Sequence, residues 1–302
     1  MSHNHVTFET SCLACMDSLA KPVGSRFWLK CENCGSVRLK QMPERIQVED
    51  YYKSHYSLEN GSQRTKSPAL ISRMNEFVDH FEEFNNGVGS ILEIGFGDGF
   101  LLEQAALRGW SCSGTEFAPA AITFAQANGW NGHSGDLRAG VLSGPFDIIV
   151  LIETVEHLLN PSEVVAAAFD RLRPGGMVIG TTPNGSGINS RLLSTKWSVM
   201  TWPDHVCLFS QNGLHQLLDA QGFVKTRTST RGFNPYDIAL FIKSRGRSST
   251  GQGRTDFGVS LNENLQSHPS GRFTKTQVNR LMHVSGWGDT IEFQAFKPTE
   301  NS

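Results

Sequence analysis

The sequence predicts an α/β fold: a doubly wound, mostly parallel sheet with a small cysteine-bearing module ahead of it. Three observations carry this. From Ser90 to Thr228, short apolar strands alternate with segments of helical period. The turn after the first of these strands reads Gly95-Phe96-Gly97-Asp98-Gly99, glycines where a strand must bend into a helix. Four of the six cysteines fall in the first 34 residues, as two Cys-x-x-Cys pairs.

Taken in order, residues 1–45 read as a ribbon of short strands, with Phe27-Trp28-Leu29 and Val37-Arg38-Leu39 flanking the second cysteine pair. Residues 46–88 form a linker holding three of the four tyrosines, Tyr51, Tyr52 and Tyr56, and then a helical cap. That helix starts at Ser67-Pro68, a side-chain cap and a first-turn proline. Leu70, Ile71, Met74, Phe77, Val78 and Phe81 recur along it at helical spacing. Residues 89–232 are the sheet core. Its strands are expected at Ile91–Ile94, Trp110–Gly114, Phe146–Ile152, Met177–Thr181 and Phe223–Thr228. Helices are expected at Phe100–Leu107, at 119–127, from Pro161 to the Pro174-Gly175-Gly176 stop, and from Ser210 to Gly222. Residues 233–284 are an insertion suited to an acceptor lid, rich in Ser, Gly, Arg and Asn over 244–272, with a helix at Thr274–Val284. Residues 285–302 supply a terminal strand, Asp289–Phe296, and a tail.

Composition removes several classes. A chain of 302 residues accommodates one large α/β domain and a smaller unit. At 38% hydrophobic and 19% charged, it is neither disordered nor a coiled coil. A formal net charge of -2 gives no electrostatic reason for a nucleic-acid partner. No apolar run reaches the ~18–20 residues of a membrane span. The opening Met-Ser-His-Asn-His lacks the basic-then-apolar order of an export signal. A cytoplasmic protein without a membrane span is expected, its oligomeric state open.

Cys12-Leu-Ala-Cys15 and Cys31-Glu-Asn-Cys34-Gly35 are spaced as two metal knuckles. A two-residue gap aims two thiolates at one ion, and two such gaps complete a tetrahedron with no open position. Structural zinc is therefore expected at Cys12, Cys15, Cys31 and Cys34. Disulfides would need an oxidising compartment, and a redox pair a different surrounding fold. Cys112 and Cys207 read as buried fillers, and His3 and His5 as part of a tail.

The glycine loop suits a ligand that approaches backbone closely beside a helix N-terminus. It does not suit a dinucleotide, because Phe100 stands where the fingerprint needs Gly or Ala. Glu93 and Asp98 beside it would repel a pyrophosphate and suit a cationic or amine-bearing ligand. Glu116 follows the second strand, 17 positions after Gly99, where an acid grips ribose hydroxyls. Phe117 can lie against an adenine face, and Asp136, ahead of Leu137, can accept from an exocyclic amine. Singly these residues read equally well as a surface acid, a core aromatic and a turn former; their order favours the ligand.

Glu93-x-Gly95-x-Gly97-x-Gly99, Glu116, Phe146-Asp147-Ile148-Ile149, Arg173-Pro174-Gly175-Gly176 and Thr182-Pro183-Asn184 together resemble the class I S-adenosylmethionine-dependent methyltransferases. The resemblance spans residues 88–232 and the terminal strand. The cysteine knuckles followed by Tyr-Tyr-x-x-x-Tyr are similar to methyltransferases of sugars, glycan precursors and natural products, including zinc-bearing deoxysugar C-methyltransferases. It implies a Rossmann-like methyltransferase sheet with a zinc ribbon, S-adenosylmethionine as cofactor and a small-molecule or glycan acceptor. O-methylation is favoured. An RNA or protein methyltransferase and a non-catalytic cofactor-binding scaffold are the alternatives.

The resemblance also implies site residues. Glu93, Gly95, Gly97, Gly99, Glu116, Phe117, Asp136, Leu137 and Ile152 would bind the cofactor, and Tyr56, with Tyr51 and Tyr52, would close over its methionine end. Glu153 ends the most apolar strand and should project into the crevice, with Glu156-His157 following. His205, before Cys-Leu-Phe-Ser, resembles the base of the sugar methyltransferases; a buried histidine bonded to backbone competes with that reading. Glu153 and His157 complete the catalytic candidates. Arg231, Asn234 and Tyr236 are candidate acceptor contacts.

Overall fold

A computed structural model describes residues 11–17, 20–23, 25–55, 67–137, 142–234, 237–238, 241–242, 277–278 and 280–299. Tyr56, Tyr236, His3, His5 and the 244–272 stretch lie outside these residues.

Seven strands form the main sheet. They are β4 (Ser90–Ile94), β5 (Ser111–Glu116), β6 (Asn131–Ser134), β7 (Phe146–Ile152), β8 (Leu172–Pro183), β10 (Val224–Arg231) and β11 (Thr290–Phe296). Their order is β10-β11-β8-β7-β4-β5-β6. The five strands β4 to β8 pair in parallel, and β11 and β10 close the edge antiparallel. From β4 the chain winds outward through β5 and β6, then returns to β7 on its other side. That reversal opens a crevice at the carboxyl ends of β4 and β7.

Helices cover both faces. α2 (Pro68–Asn85) begins at Ser67, whose hydroxyl accepts from the Leu70 N–H at 3.2 Å, and buries Met74, Phe77, Val78 and Phe81. α3 (Phe100–Leu107) and α4 (Pro119–Ala127) follow β4 and β5, while α5 (Pro161–Arg171) and α7 (Gln211–Ala220) lie on the opposite face. Along β7 the side chains alternate between two cores: Ile148 and Val150 pack with Phe77 and Phe81, Ile149 and Leu151 with Val164 and Leu214. A strand buried on both faces has to be apolar throughout, which is why Phe146–Ile152 is so.

The cysteine module contributes β1 (Ala20–Val23), β2 (Ser25–Cys31) and β3 (Val37–Leu39). These form a second, antiparallel sheet completed by β9 (Cys207–Leu208), in the order β1-β2-β3-β9. Cys12, Leu13, Ala14, Val37 and Leu39 belong to the same core as Ile149 and Leu151.

Several boundaries move. The tyrosine-bearing segment is helical, α1 (Arg45–His55). The second core strand runs Ser111–Glu116, so Glu116 is its last residue rather than two positions beyond the expected end at Gly114. α5 stops at Arg171, and β8 starts before Arg173-Pro174-Gly175-Gly176 because Leu172, 2% exposed, pairs opposite Phe146. The last core strand before the insertion reaches Arg231. Residues 277–278 and 280–285 are helical, so helix runs one residue past the expected end at Val284. β6, β9 and α6 (Ile188–Leu193) were not expected from periodicity. No helix among the described residues is long and apolar enough to cross a membrane.

Candidate active site

Two cavities of the described surface bear on where a ligand could sit. One of about 440 Å³ lies between α2 and the antiparallel edge, over Phe77, Ile179 and Phe293. The other, about 580 Å³, opens at the carboxyl ends of β4, β5 and β7, where a doubly wound sheet takes its ligands. It is lined by the turn after β4, by Glu116 and Phe117, by Gly135 and Asp136, by Ile152–Thr154, and by His157, Asp204 and His205. Leu70 and Met74 of α2 and Tyr51 of α1 close one side.

The turn after β4 is shaped by its glycines. Gly95 has φ +70°, and a Cβ there would lie 2.9 Å from Thr154, whose hydroxyl donates to the Ile94 carbonyl. Gly99, at φ +69°, precedes α3, and its Cβ would come within 2.6 Å of Trp130. Gly97 turns its N–H onto Glu116 Oε2 at 3.0 Å, while Oε1 accepts from the Phe117 N–H at 2.6 Å. Burial nonetheless raises the Glu116 pKa against these bonds. Glu93 is more extreme. Burial, then the neighbouring Glu116, push its carboxyl well above the usual range, and Glu93 Oε2 has no hydrogen-bond partner among the described residues. A buried acceptor of this kind fits a ligand that brings an ammonium group. Of the sequence-predicted cofactor residues, Glu93, Gly95, Gly97, Glu116, Phe117, Asp136 and Ile152 line the cleft. Gly99, the residue before α3, is not among the lining residues. Leu137 sits in the core at 2% exposure.

Opposite the glycine turn, β7 delivers a second set. Glu153 has φ +48°, a left-handed conformation that a non-glycine residue adopts at a cost. It aims its carboxylate at β8, where the Thr181 hydroxyl donates to Oε1 at 2.9 Å. The next turn carries Glu156, fully buried, whose Oε2 accepts from the Thr182 hydroxyl at 2.8 Å. Its Oε1 has no hydrogen-bond partner among the described residues. Burial, then repulsion from Glu153, push its pKa up to about 8.

His157 and His205 stack with ring centroids 4.5 Å apart. Burial, the largest single influence, pushes the His157 pKa down, but its hydrogen bonds to Asp204 and the charges of Glu156 and Asp204 together carry it up to about 9. Its Nδ1 lies 2.8 Å from the Asp204 carbonyl and 3.1 Å from Asp204 Oδ1. His205 Nδ1 donates to the Val199 carbonyl at 2.5 Å, so the lone pair of its neutral ring sits on Nε2. The backbone-bonded histidine and the cleft histidine are thus one residue. Glu156, His157 and His205 bring one ligand atom each within 4.8 Å of one another, a spacing that suits a divalent cation. Glu156 and Asp204 enter from the sequence only as neighbours of His157 and His205, not as site residues. The signal was present in Glu153-x-x-Glu156-His157 and in Asp204 beside His205.

At the N-terminal module the four Sγ atoms of Cys12, Cys15, Cys31 and Cys34 lie within 4.8 Å of one another. The hydrogen bond with Cys12 and then, against the effect of burial, hydrogen bonds from Ser36 lower the Cys34 thiol pKa from its ordinary value.

Comparisons with known proteins bear on the family and the fold. A ubiquinone biosynthesis O-methyltransferase from Pseudomonas fluorescens (strain Pf0-1) is 32% identical over 111 residues, covering 34% of this chain and 48% of that protein. One of the same name from Hydrogenovibrio crunogenus is 30% identical over 117 residues, 36% of this chain and 48% of the relative. The chain thus spans about half the length of the curated relatives it matches. Among solved structures, a SAM-dependent methyltransferase from Archaeoglobus fulgidus aligns with TM-score 0.51 at 17% identity, over 76% of this chain and 93% of the other. The [4+2]-cyclase SpnF aligns with TM-score 0.54 at 15% identity, over 85% and 97%. At such identities the likeness concerns the fold alone, and a cyclase on this fold shows why fold does not name a reaction. The family model described as a methyltransferase domain matches residues 66–228, more than half of the chain. S-adenosylmethionine is the cofactor of that family, and the chain belongs to it.

Proposed function

We propose that the chain transfers a methyl group from S-adenosylmethionine to a hydroxyl of a small metabolite: a sugar, a glycan precursor or a related molecule. One observation carries the reading. A single cleft joins the glycine turn and Glu116 to Glu153, His157 and His205. The printed names of the curated relatives, O-methyltransferases, favour oxygen as the acceptor atom.

When bound, the cofactor supplies a methyl group already activated on a sulfonium. The chain's own residues do the rest. Glu116 takes the ribose hydroxyls, Glu93 the ammonium, Phe117 an adenine face and Asp136 its exocyclic amine. The strained Glu153 faces the acceptor side. His205 Nε2 removes the hydroxyl proton, and His157, paired with Asp204, fixes the wall against which His205 stacks. Structural zinc at the four cysteines keeps the N-terminal module folded. A second reading rests on Glu156 Oε1. With His157 and His205 it would hold a divalent cation that acidifies the acceptor hydroxyl, and turnover that needs added magnesium or manganese would favour this over His205 as the base.

The test is calorimetric titration of S-adenosylhomocysteine into wild type and Glu116→Ala, followed by an acceptor screen beginning with nucleotide sugars. Micromolar binding that weakens by about 1–3 kcal/mol in the variant is expected, the worth of hydrogen bonds to a charged acceptor. His205→Ala should keep that binding and lower turnover by about 10²–10⁴-fold; unchanged turnover retires His205 as the base. Salt-dependent RNA binding would move the acceptor to nucleic acid. Tight cofactor binding with no turnover on any acceptor would make the chain a scaffold.

A further inference from the structure

The histidine of the cleft is held from an unexpected direction. Its neighbour Val206 is gripped on both sides: its N–H donates to the Glu156 carbonyl at 2.8 Å, and its own carbonyl accepts from the Leu39 N–H at 2.9 Å. One residue therefore ties the buried carboxylate turn to the third strand of the cysteine module. The pairing continues as β3 against β9, with Arg38 opposite Cys207 and Val37 opposite Leu208. Past β9, the Ser210 hydroxyl donates to the Cys34 carbonyl at 2.5 Å, and the Ser210 N–H donates to Ser36 Oγ at 3.1 Å. Val206, Cys207 and Leu208 are wholly buried, in the core that also holds Cys12, Val37 and Leu39.

β9 is two residues long and has no local reason to be extended. Its partner β3 is three residues long and follows directly on the Cys31–Cys34 knuckle. β3 also pairs with β2, whereas β9 has β3 as its one strand partner among the described residues, so the backbone that presents His205 leans on the module.

We propose that the cysteine module is part of the reaction centre, and that Val37–Leu39 are positioning residues which, through Val206, set His205 against Glu156 and His157. They touch neither acceptor nor cofactor. Their role is to fix the angle from which Nε2 meets the acceptor hydroxyl, and the four-thiolate metal sets their own geometry. The inference rests on the reading of His205 as a group of the methyl-transfer centre.

The experiment uses the full chain as purified with zinc and two variants at one position. Leu39→Pro removes the N–H that Val206 accepts; Leu39→Ala keeps it and removes only packing. The ¹³C-labelled histidine Cε1–H resonance missing from His205→Gln identifies the His205 signal. We expect Leu39→Pro to bind S-adenosylhomocysteine as wild type does, to shift the His205 resonance, and to lower kcat by about tenfold or more with KM little changed, as misplacement of a reacting group does. Leu39→Ala should keep the wild-type resonance and most of kcat. A cofactor-binding Leu39→Pro with an unmoved His205 resonance overturns the proposal, as does an equal shift in Leu39→Ala. Should Leu39→Pro fail to bind S-adenosylhomocysteine, Ser36→Ala decides by the same resonance: displacement supports the coupling and an unmoved signal overturns it. If wild type shows no turnover on any acceptor, the methyl-transfer reading falls, while the resonance still reports whether the module holds His205.

Discussion

At the scale of single residues, the site is governed by carboxyl groups held where water cannot reach them. Glu93 is the clearest. Its folded pKa lies well above the ordinary 4.5, chiefly through burial. The folded chain therefore keeps a proton that the unfolded chain releases, and stability falls as pH rises from about 4.5 through the folded value. Glu93→Gln removes this penalty. Without cofactor at pH 8, the variant should melt about 2–4 °C or more above wild type for each kcal/mol recovered, and the advantage should shrink towards pH 5. The same change should weaken S-adenosylhomocysteine about tenfold by removing a charged acceptor. A variant that is neither more stable at pH 8 nor weaker in binding would contradict the assignment. Much of this set was legible in the sequence, because acids flanking a glycine turn already argue for a cationic ligand. Glu156 was not. Its importance comes from total burial and a carboxylate oxygen without a hydrogen-bond partner among the described residues, both products of packing against Thr182 on β8.

At the scale of elements, the turn between β4 and α3 is where local sequence and function meet. Gly99→Ala must place a Cβ 2.6 Å from Trp130 in a left-handed conformation. Gly129 offers a control: it too has positive φ, +77°, but nothing lies within 4 Å of its missing Cβ. Gly129→Ala should cost about 1–2 kcal/mol, the left-handed penalty alone, and leave cofactor binding intact. Gly99→Ala should cost more in denaturant melts and weaken S-adenosylhomocysteine, since Trp130 or the turn must move. Equal effects at the two positions would show that the turn tolerates a side chain. The strands and helices of the core follow from period and capping residues. β9 does not, because a two-residue strand is created by its partner, not by its own residues.

At the scale of the whole molecule, the N-terminal module and the main sheet share one core. Cys12, Leu13, Val37 and Leu39 pack with residues of β7, β8 and α7. Metal analysis of the purified chain should find about one zinc per chain, as four-thiolate spacing implies. Removing that zinc with a chelator should lower the unfolding temperature of a single calorimetric transition, with the main sheet carried along. Two separate transitions, with the upper one unmoved, would mean that the module is only tethered.

By itself the sequence determined the alternation of strands and helices, the glycine turn, Glu116 and the four-cysteine spacing. Each is written within a few residues and answers to local rules of period, turn geometry and ligand reach. Only the tertiary structure decided that Glu156, His157 and His205 converge, that Glu153 sits at positive φ, and that Leu39 reaches Val206 across the chain. The physical reason is the same in each case. Burial, strain and long-range hydrogen bonds belong to surfaces brought together by folding, and no window along the chain contains both partners.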